Sequence, residues 1–331
     1  MNMIHRLWIR CVVNGLCIII SGCLITACHR GLPDSPKIEP GSYSEKLDLR
    51  AGCFRRAFNV HVPSGFTGRD HLPLVVVIHG AFDTASGMEN ASGFSSLADR
   101  ERFFVLYPEG MSLFGFLSHW NAGHCCGKAA ADGVDDIGFL TNSIERVCRR
   151  LPVDRSRIYM VGFSNGGMLT YRFAAEKGEM LAAAAPLGAS AGGRDKIAAP
   201  IWRIPHPAAR LPILSIHGLA DDYVPFSGGV SPARGGERTY LSVGESLQIF
   251  VNRNRCTRRT DEKGLYGGRV HKTVWGGNNG DFPVVLYLIE DWGHVWPGKR
   301  FINTMPEGKG IEGFDAAEIV WSFFRQYRRV L

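Results

Sequence analysis

Arg157-Ile158-Tyr159-Met160-Val161-Gly162-Phe163-Ser164-Asn165-Gly166 is the stretch that decides the fold. Its first half is an apolar run typical of a buried strand, and residues 168–176 after it have helical spacing. Between them lies G-x-S-x-G, whose glycines leave room for a sharp turn and for close packing of helix on strand. This order predicts that Ser164 is a nucleophile held at the carboxyl end of a strand. A capping serine in an ordinary strand-to-helix turn is the alternative.

On both sides of that stretch, strand-like runs alternate with helical patterns. The alternation predicts an α/β fold with a mostly parallel central sheet and helices on both faces. Strands are expected at 57–62, 74–78, 103–107, 157–161, 181–185, 213–216 and 284–289, and helices at 137–149, 168–176, 243–254 and 316–328. The long segments 110–136 and 189–210 are expected to border a substrate cleft.

The composition is that of an ordinary globular protein. Of 331 residues, 45% are hydrophobic and 21% are charged, which argues against disorder. The 38 Lys and Arg exceed the 31 Asp and Glu by only seven, and the basic residues form scattered pairs. Such pairs do not make a phosphate-binding stripe, so we expect no nucleic-acid partner.

The amino terminus has the layout of an export signal. Two early arginines precede an apolar run from Cys11 to Ile20, which is short for a membrane span, and small residues follow. We therefore expect residues 1–27 to be a signal peptide with lipid attachment at Cys28, a possible membrane tether. Residues 28–46 are expected to form a polar tether, and 47–331 one catalytic domain. Lipidation at Cys23 and cleavage without lipid are the alternatives.

Export would place the cysteines in an oxidising compartment. Beyond Cys28, at most two disulfides can form, and the sequence does not define which residues pair. The candidates are Cys53, Cys125, Cys126, Cys148 and Cys256.

A serine nucleophile needs a base, and the base needs an acid to orient it. In this architecture the chain order should be serine, acid, histidine. His294 follows a predicted strand late in the chain and is the best base. The acid should follow the strand 213–216, where Asp221 and Asp222 are adjacent; we choose Asp221, although residue physics alone divides the two evenly.

The transition state also needs donors for an oxyanion. The N–H of Asn165, directly after the nucleophile, is one candidate. The turn after His79-Gly80 is expected to supply the other through Ala81 or Phe82. Such a mechanism requires no metal and no organic cofactor.

Several of these segments together resemble the polyhydroxybutyrate depolymerase and feruloyl or acetylxylan esterase family of α/β hydrolases. The segments are Val134 to Phe139, Gly162 to Met168, His217 to Phe226 and Gly293 to Gly298. The resemblance spans about residues 47–327 and implies an α/β-hydrolase fold and a secreted or lipid-anchored serine esterase.

In that family the acid is the first aspartate after His-Gly-x-Ala, which supports Asp221. The resemblance also identifies Trp120-Asn121 and Cys125-Cys126 with the family's cleft-side loop. We expect Trp120, Asn121 and Trp296 to contact substrate; packing in the core is the alternative for the two tryptophans. The chain departs from the family at Ala81, where relatives often have cysteine, and at Trp292, where a small residue is usual.

Two competing hypotheses belong to other functional classes. His119, His124, Cys125 and Cys126 have the side chains of a zinc site, but adjacent cysteines rarely hold one ion well. A non-catalytic binding module on an esterase fold is the other alternative. Residues alone do not identify the ester, which could be a hydroxyalkanoate oligomer or an acylated polysaccharide.

Overall fold

The computed structural model describes residues 30–32, 38–51, 54–112, 117–276, 282–297 and 311–330. The predicted signal peptide, Cys28 and Cys53 lie outside this part of the chain. The strands of the described part are β1 (Gly41–Ala51), β2 (Phe54–Val62), β3 (Leu72–Ile78), β4 (Phe104–Pro108), β5 (Met111–Ser112), β6 (Ser118–His119), β7 (Val153–Phe163), β8 (Ala183–Leu187), β9 (Gly192–Arg194), β10 (Trp202–Arg203), β11 (Ile213–Gly218), β12 (Gly229–Val230), β13 (Thr239–Tyr240), β14 (Arg258–Leu265), β15 (Val270–Gly276) and β16 (Val284–Ile289). The α-helices are α1 (Ala85–Ser92), α2 (Phe94–Glu101), α3 (Gly127–Ala131), α4 (Asp136–Arg150), α5 (Asn165–Glu176), α6 (Val243–Asn254) and α7 (Ala316–Phe324).

A ten-stranded sheet forms the centre of the fold, in the order β1-β2-β4-β3-β7-β8-β11-β16-β15-β14. The six strands from β4 to β16 in that order are parallel, and antiparallel pairs complete both edges. The prediction of a mostly parallel sheet is confirmed. A smaller four-stranded sheet, β10-β9-β13-β12, lies among the long connections that follow β8 and β11.

The sheet is covered on both faces because its central strands are apolar on both sides. In β3, Leu74, Val76 and Ile78 belong to one core cluster, and Val75 and Val77 belong to a second. Successive strand residues point to opposite faces, so a continuous apolar run can bury both sides. Helices α4, α5 and α6 pack in the first cluster, and α1, α2 and α7 pack in the second.

Parallel strands bring the predicted site residues to one edge of the sheet. Strand β3 leads into Ala81, β7 into Ser164, β11 into Asp221 and β16 into His294. Crevices outside the carboxyl ends of the strands are where open α/β sheets bind ligands.

The sheet is larger than the sequence pattern predicts. Residues 41–46, which the pattern assigns to the polar tether, form the first half of β1 and pair with β2. Tyr43 is the buried side chain of this stretch, so the strand lacks an apolar signal. Helices α1 and α2 and the exposed strand β14 were also not predicted, and the predicted helix 316–328 ends at Phe324.

None of the described helices combines the length and the apolar character needed to cross a membrane.

Candidate active site

Ser164 occupies a strained turn between β7 and α5. Its φ is 55° and its ψ is −121°, a conformation that costs a non-glycine residue free energy and persists only when its surroundings enforce it. The Ser164 N–H donates to the Leu187 carbonyl at 2.9 Å. A Cβ on Gly162 would overlap the Gly166 carbonyl, and a Cβ on Gly166 would overlap the His79 carbonyl. Neither glycine of the motif can therefore carry a side chain unless the neighbouring backbone moves.

His294 hydrogen-bonds to both predicted partners. Its Nε2 lies 2.7 Å from the Ser164 Oγ, and its Nδ1 lies 2.7 Å from the Asp221 Oδ2. An ionised carboxylate only accepts hydrogen bonds, so Nδ1 carries the proton and Nε2 of the neutral ring is free to accept one from Ser164. The structure thus brings the three predicted residues together in a line.

Asp221 is held more firmly than its neighbour. Its Oδ1 accepts the N–H groups of Tyr223 at 2.9 Å and Val224 at 2.8 Å, which leaves Oδ2 facing His294. The Asp221 side chain is buried, whereas Asp222 is exposed. Geometry therefore selects Asp221 from a pair that residue type alone does not distinguish.

His217 lies behind this group and does not compete with His294. Its Nε2 donates to the Val224 carbonyl at 2.8 Å, and burial lowers its pKa, so the ring stays neutral. By fixing Val224, His217 supports the turn that holds the Asp221 carboxylate.

A small pocket opens onto Ser164. Ala81, Asn165 and His294 line it together with Ser164, and its volume is about 220 Å³, including space open to solvent. The Phe82 N–H already donates to the Ser118 carbonyl at 2.9 Å. Of the two amides expected after His79-Gly80, the geometry therefore favours Ala81 as an oxyanion donor.

A buried hydrogen-bond network fixes both segments that carry these amides. The Asn165 side chain accepts from the Trp120 N–H at 2.8 Å and donates to the Trp120 carbonyl at 3.0 Å. The Trp120 indole donates to the His79 carbonyl at 2.9 Å. His79 in turn accepts the Gly110 N–H at Nε2, and burial lowers its pKa to about 4, so it stays neutral. Sequence patterns did not identify this network.

The three residues expected to contact substrate lie elsewhere. Trp120 is 0% exposed and Trp296 is 1% exposed, so both pack in the core and neither reaches the pocket surface. Asn121 uses its side chain within its own loop, donating to the Val134 carbonyl and accepting the Gly123 N–H. Both tryptophan rings therefore lie behind the pocket and support it from the core, which is the alternative that the sequence left open for them.

Arg56 is a further supporting residue that the sequence did not reveal. It donates to Asp136 at 2.7 Å, and both side chains are almost fully buried. The second oxygen of Asp136 accepts the Asn121 N–H at 2.7 Å. This pair anchors the loop that carries Trp120, because a buried carboxylate is stable only when its charge and lone pairs are satisfied.

The residues considered as zinc ligands do not form a site. Within the described residues, no three of His, Cys, Asp and Glu are gathered as metal ligands. His119 hydrogen-bonds to the Leu117 carbonyl, and His124 stacks on Trp202 with ring centroids 5.6 Å apart.

His124 makes folding sensitive to acid. Burial, together with the charge of Arg238, lowers its pKa to about 3, and neither ring nitrogen has a hydrogen-bond partner among the described residues. In the unfolded chain a histidine titrates near pH 6.5. Below that pH the unfolded chain binds the extra proton, so the free energy of unfolding falls as pH falls, by up to about 1.4 kcal/mol per unit.

We expect His124→Phe to remove this dependence. Between pH 7.5 and pH 5, the variant should gain about 2 kcal/mol in free energy of unfolding relative to wild type, measured by urea titration at each pH. Burial raises the pKa of Asp83, Glu109 and Asp136, but these groups are present in both proteins and their effect cancels. An equal difference at the two pH values would contradict the prediction.

Comparison with known proteins finds a similar family. Residues 56–194, which include Ser164, match the family model described as Esterase PHB depolymerase. This part of the chain is similar to that esterase family. The family resemblance predicted from sequence is confirmed, while Asp221 and His294 lie beyond the matched residues.

Two individual proteins are similar over a longer stretch of the chain. The chain is 31% identical over 206 residues to Feruloyl esterase B of Piromyces equi, covering 60% of this chain and 35% of the relative. It is 28% identical over 266 residues to Poly(3-hydroxyalkanoate) depolymerase C of Paucimonas lemoignei, covering 72% and 58%. The chain therefore spans less than two thirds of either relative's length.

A solved structure supports the fold. An acetyl xylan esterase from Aspergillus awamori aligns with a TM-score of 0.51 and 16% identity, over 72% of this chain and 89% of that one. At this identity the match concerns the fold, and the predicted α/β-hydrolase architecture is confirmed.

Proposed function

We propose that this protein is a serine esterase that hydrolyses short carboxylic esters through an acyl-enzyme. One observation carries the proposal: the His294 ring hydrogen-bonds to the Ser164 hydroxyl on one side and to the Asp221 carboxylate on the other, each at 2.7 Å. A serine hydroxyl is a weak nucleophile unless an oriented base removes its proton, and this arrangement supplies both the base and the orienting group.

In the first half of the reaction, the Ser164 Oγ attacks the ester carbonyl carbon while His294 Nε2 takes the hydroxyl proton. The carbonyl oxygen becomes an oxyanion, which the N–H groups of Ala81 and Asn165 would hold; one such donor contributes about 3 kcal/mol. As the tetrahedral intermediate collapses, the bond to the alcohol oxygen breaks. His294 gives its proton to that oxygen, and the alcohol leaves.

Water completes the cycle in the second half. It takes the place of the alcohol, transfers a proton to His294 Nε2 and attacks the acyl carbon. Collapse of the second intermediate releases the carboxylic acid and returns the proton to the Ser164 Oγ. Throughout, Asp221 stabilises the positive imidazolium and keeps the proton on Nδ1.

The substrate is an ester of modest size. Pockets that bury drug-sized ligands hold about 300 to 1,000 Å³. The space beside Ser164 that a water-sized group can enter is only about 10 Å³, which favours a short acyl group such as acetyl or hydroxybutyryl over a feruloyl group. Hydroxyalkanoate oligomers and acetylated polysaccharides both carry acyl groups of this size.

We also propose that the protein is exported and anchored by lipid at Cys28. The basic, apolar and small-residue order of residues 1–28 supports export, and the polar residues after Cys28 support its use over Cys23. Mass spectrometry of the mature amino terminus distinguishes lipid at Cys28 from lipid at Cys23 and from unmodified cleavage.

The direct test of the esterase proposal is reaction with a fluorophosphonate probe. We expect the purified mature protein to hydrolyse 4-nitrophenyl acetate and butyrate, and to take up one probe molecule per chain on the peptide that contains Ser164. Prior labelling should abolish hydrolysis in proportion to uptake. A protein that neither reacts with the probe nor hydrolyses any ester would favour a non-catalytic binding module instead.

A further inference from the structure

We propose that Arg234 and Arg238 make the pocket beside Ser164 a carboxylate-binding site, so that the preferred substrates are esters of hydroxy acids with a free carboxylate. This inference rests on the proposed esterase function and specifies its substrate class. Both arginines line the same small pocket as Ser164 and His294.

The loop that carries Asp221 also carries both arginines. Ser231, which is fully buried, closes this loop: its hydroxyl donates to the Tyr223 carbonyl at 2.8 Å, and its N–H donates to the Arg238 carbonyl at 2.9 Å. The two arginines are therefore tied to the backbone beside the triad, and a ligand held by them would be placed relative to Ser164.

Neither arginine has an acidic partner among the described residues. No carboxylate in that part of the chain lies within 4.0 Å of either guanidinium group, whereas the half-buried Arg146, Arg157 and Arg172 each form an ion pair. Within the described ranges, the Arg238 Nε is buried without a hydrogen-bond partner. Guanidinium stays charged at any working pH, and an uncompensated positive charge in a partly desolvated pocket favours an anionic ligand.

Aromatic rings hold Arg234 next to the catalytic histidine. Its guanidinium carbon lies 5.0 Å from the centroid of the Tyr223 ring and 5.9 Å from that of Phe82. The Tyr223 ring stacks on His294 with centroids 5.2 Å apart. The Tyr223 ring thus separates the positive charge of Arg234 from His294. A substrate can span this separation when its carboxylate and its ester are only a few bonds apart.

Arg238 lies where the small pocket meets a larger groove. It contacts the Cys126 sulfur at 3.7 Å, and these two residues line both spaces. The groove, which includes His124 and Trp202, has a volume of about 730 Å³ including space open to solvent. If the carboxylate of a substrate binds Arg238, the remaining part of that substrate has room in this groove.

These features match one kind of ester. The planar fork of arginine suits the two oxygens of a carboxylate. An O-acylated hydroxy acid, including the carboxyl end of a hydroxyalkanoate oligomer, has a carboxylate a few bonds from the scissile ester. A neutral acetylated sugar has none, so it would gain nothing from the two arginines.

The test compares two substrates that differ only in charge. For 3-acetoxybutyrate and the neutral 3-acetoxybutyramide, acetate release gives kcat/KM at pH 7.5 and low ionic strength. We expect at least a tenfold preference for the anion in the wild-type protein. Arg238→Gln and Arg234→Gln should each reduce that preference at least fivefold, mainly by raising KM for the anion, and Arg238→Lys should retain part of it.

Arg69→Gln is the matched control. Arg69 is exposed in the loop before β3, at the opposite end of the strand from Ala81, and its loss removes the same charge. This variant should keep the wild-type preference. Equal kcat/KM for the two substrates in wild type would overturn the proposal, and so would equal losses on both substrates in variants that unfold at the wild-type temperature.

A binding measurement separates this inference from the esterase proposal. If no ester is hydrolysed, calorimetric titration of Ser164→Ala with 3-acetoxybutyrate still reports the carboxylate site. Binding that is at least tenfold weaker in the Ser164→Ala, Arg238→Gln double variant supports the site. Absence of binding to Ser164→Ala, or equal binding to both proteins, overturns it.

Discussion

Replacing Ser164 with alanine is expected to lower kcat for 4-nitrophenyl acetate by about 10⁴- to 10⁶-fold without unfolding the protein. The loss is large because the Ser164 Oγ is the atom that would form the acyl bond, and His294 Nε2 has no other hydroxyl within hydrogen-bond distance among the described residues. KM should change little, since the hydroxyl contributes little to ground-state binding. Initial rates and a thermal melt of the purified variant measure both effects.

Some acceleration over the uncatalysed reaction should survive in this variant. The N–H groups of Ala81 and Asn165 belong to the main chain, so the substitution does not remove them. A residual rate of about 10³- to 10⁴-fold over water is typical when an oxyanion hole remains without its nucleophile. Ser322→Ala, on the exposed side of α7, is the control and should keep full activity. If Ser164→Ala retained more than a tenth of the wild-type kcat, another residue would have to be the nucleophile.

The parallel core was predictable because its strands are apolar on both faces. The runs that became β3, β7, β11 and β16 give a continuous hydrophobic signal, and each leads directly into a polar turn. Parallel strands share a carboxyl edge, so the turns after these strands had to meet. Chain order and strand position were therefore sufficient to group Ser164 and His294 with the pair Asp221 and Asp222, and the family resemblance favoured Asp221 within that pair.

The support behind the site was not predictable from the same signals. Trp120 looks like a cleft residue by sequence, but the pairing of Arg56 with Asp136 and the hydrogen bonds to Asn165 draw its loop inward. These contacts join residues up to 80 positions apart, and no local pattern reports them. Edge strand β1 escaped detection for a different reason: polar side chains on an edge give no hydrophobic period.

Local sequence patterns also do not reveal the role of the loop between β11 and α6. Its arginines lie in a polar, glycine-rich segment that reads as ordinary surface, and Gly235 and Gly236 adopt left-handed φ values of 67° and 78° that let it turn back. Only the folded loop brings Arg234 and Arg238 to the pocket beside Ser164. The sequence shows that this segment is basic, but only the tertiary structure shows that these two arginines lack acidic partners among the described residues.

Asp221 and Asp222 are adjacent in the sequence, but only Asp221 hydrogen-bonds to His294, so its replacement should have a large effect on kcat. We expect Asp221→Asn to lower kcat by about 10³- to 10⁴-fold. The Tyr223 and Val224 N–H groups need an acceptor at the position of Oδ1, so the asparagine oxygen must take that place. Its NH₂ group then faces His294, where the carboxylate oxygen was.

An NH₂ group at that position donates to His294 Nδ1 and forces the ring proton onto Nε2. In this tautomer Nε2 donates to the Ser164 Oγ and cannot remove its proton, so the base is lost although the fold is unchanged. Asp222→Asn removes the same charge from an exposed neighbour and should keep kcat within about twofold of wild type. Steady-state kinetics of the two variants on 4-nitrophenyl acetate test this assignment. A loss of kcat confined to Asp222→Asn, or an equal loss in both variants, would show that Asp221 is not the acid of the site.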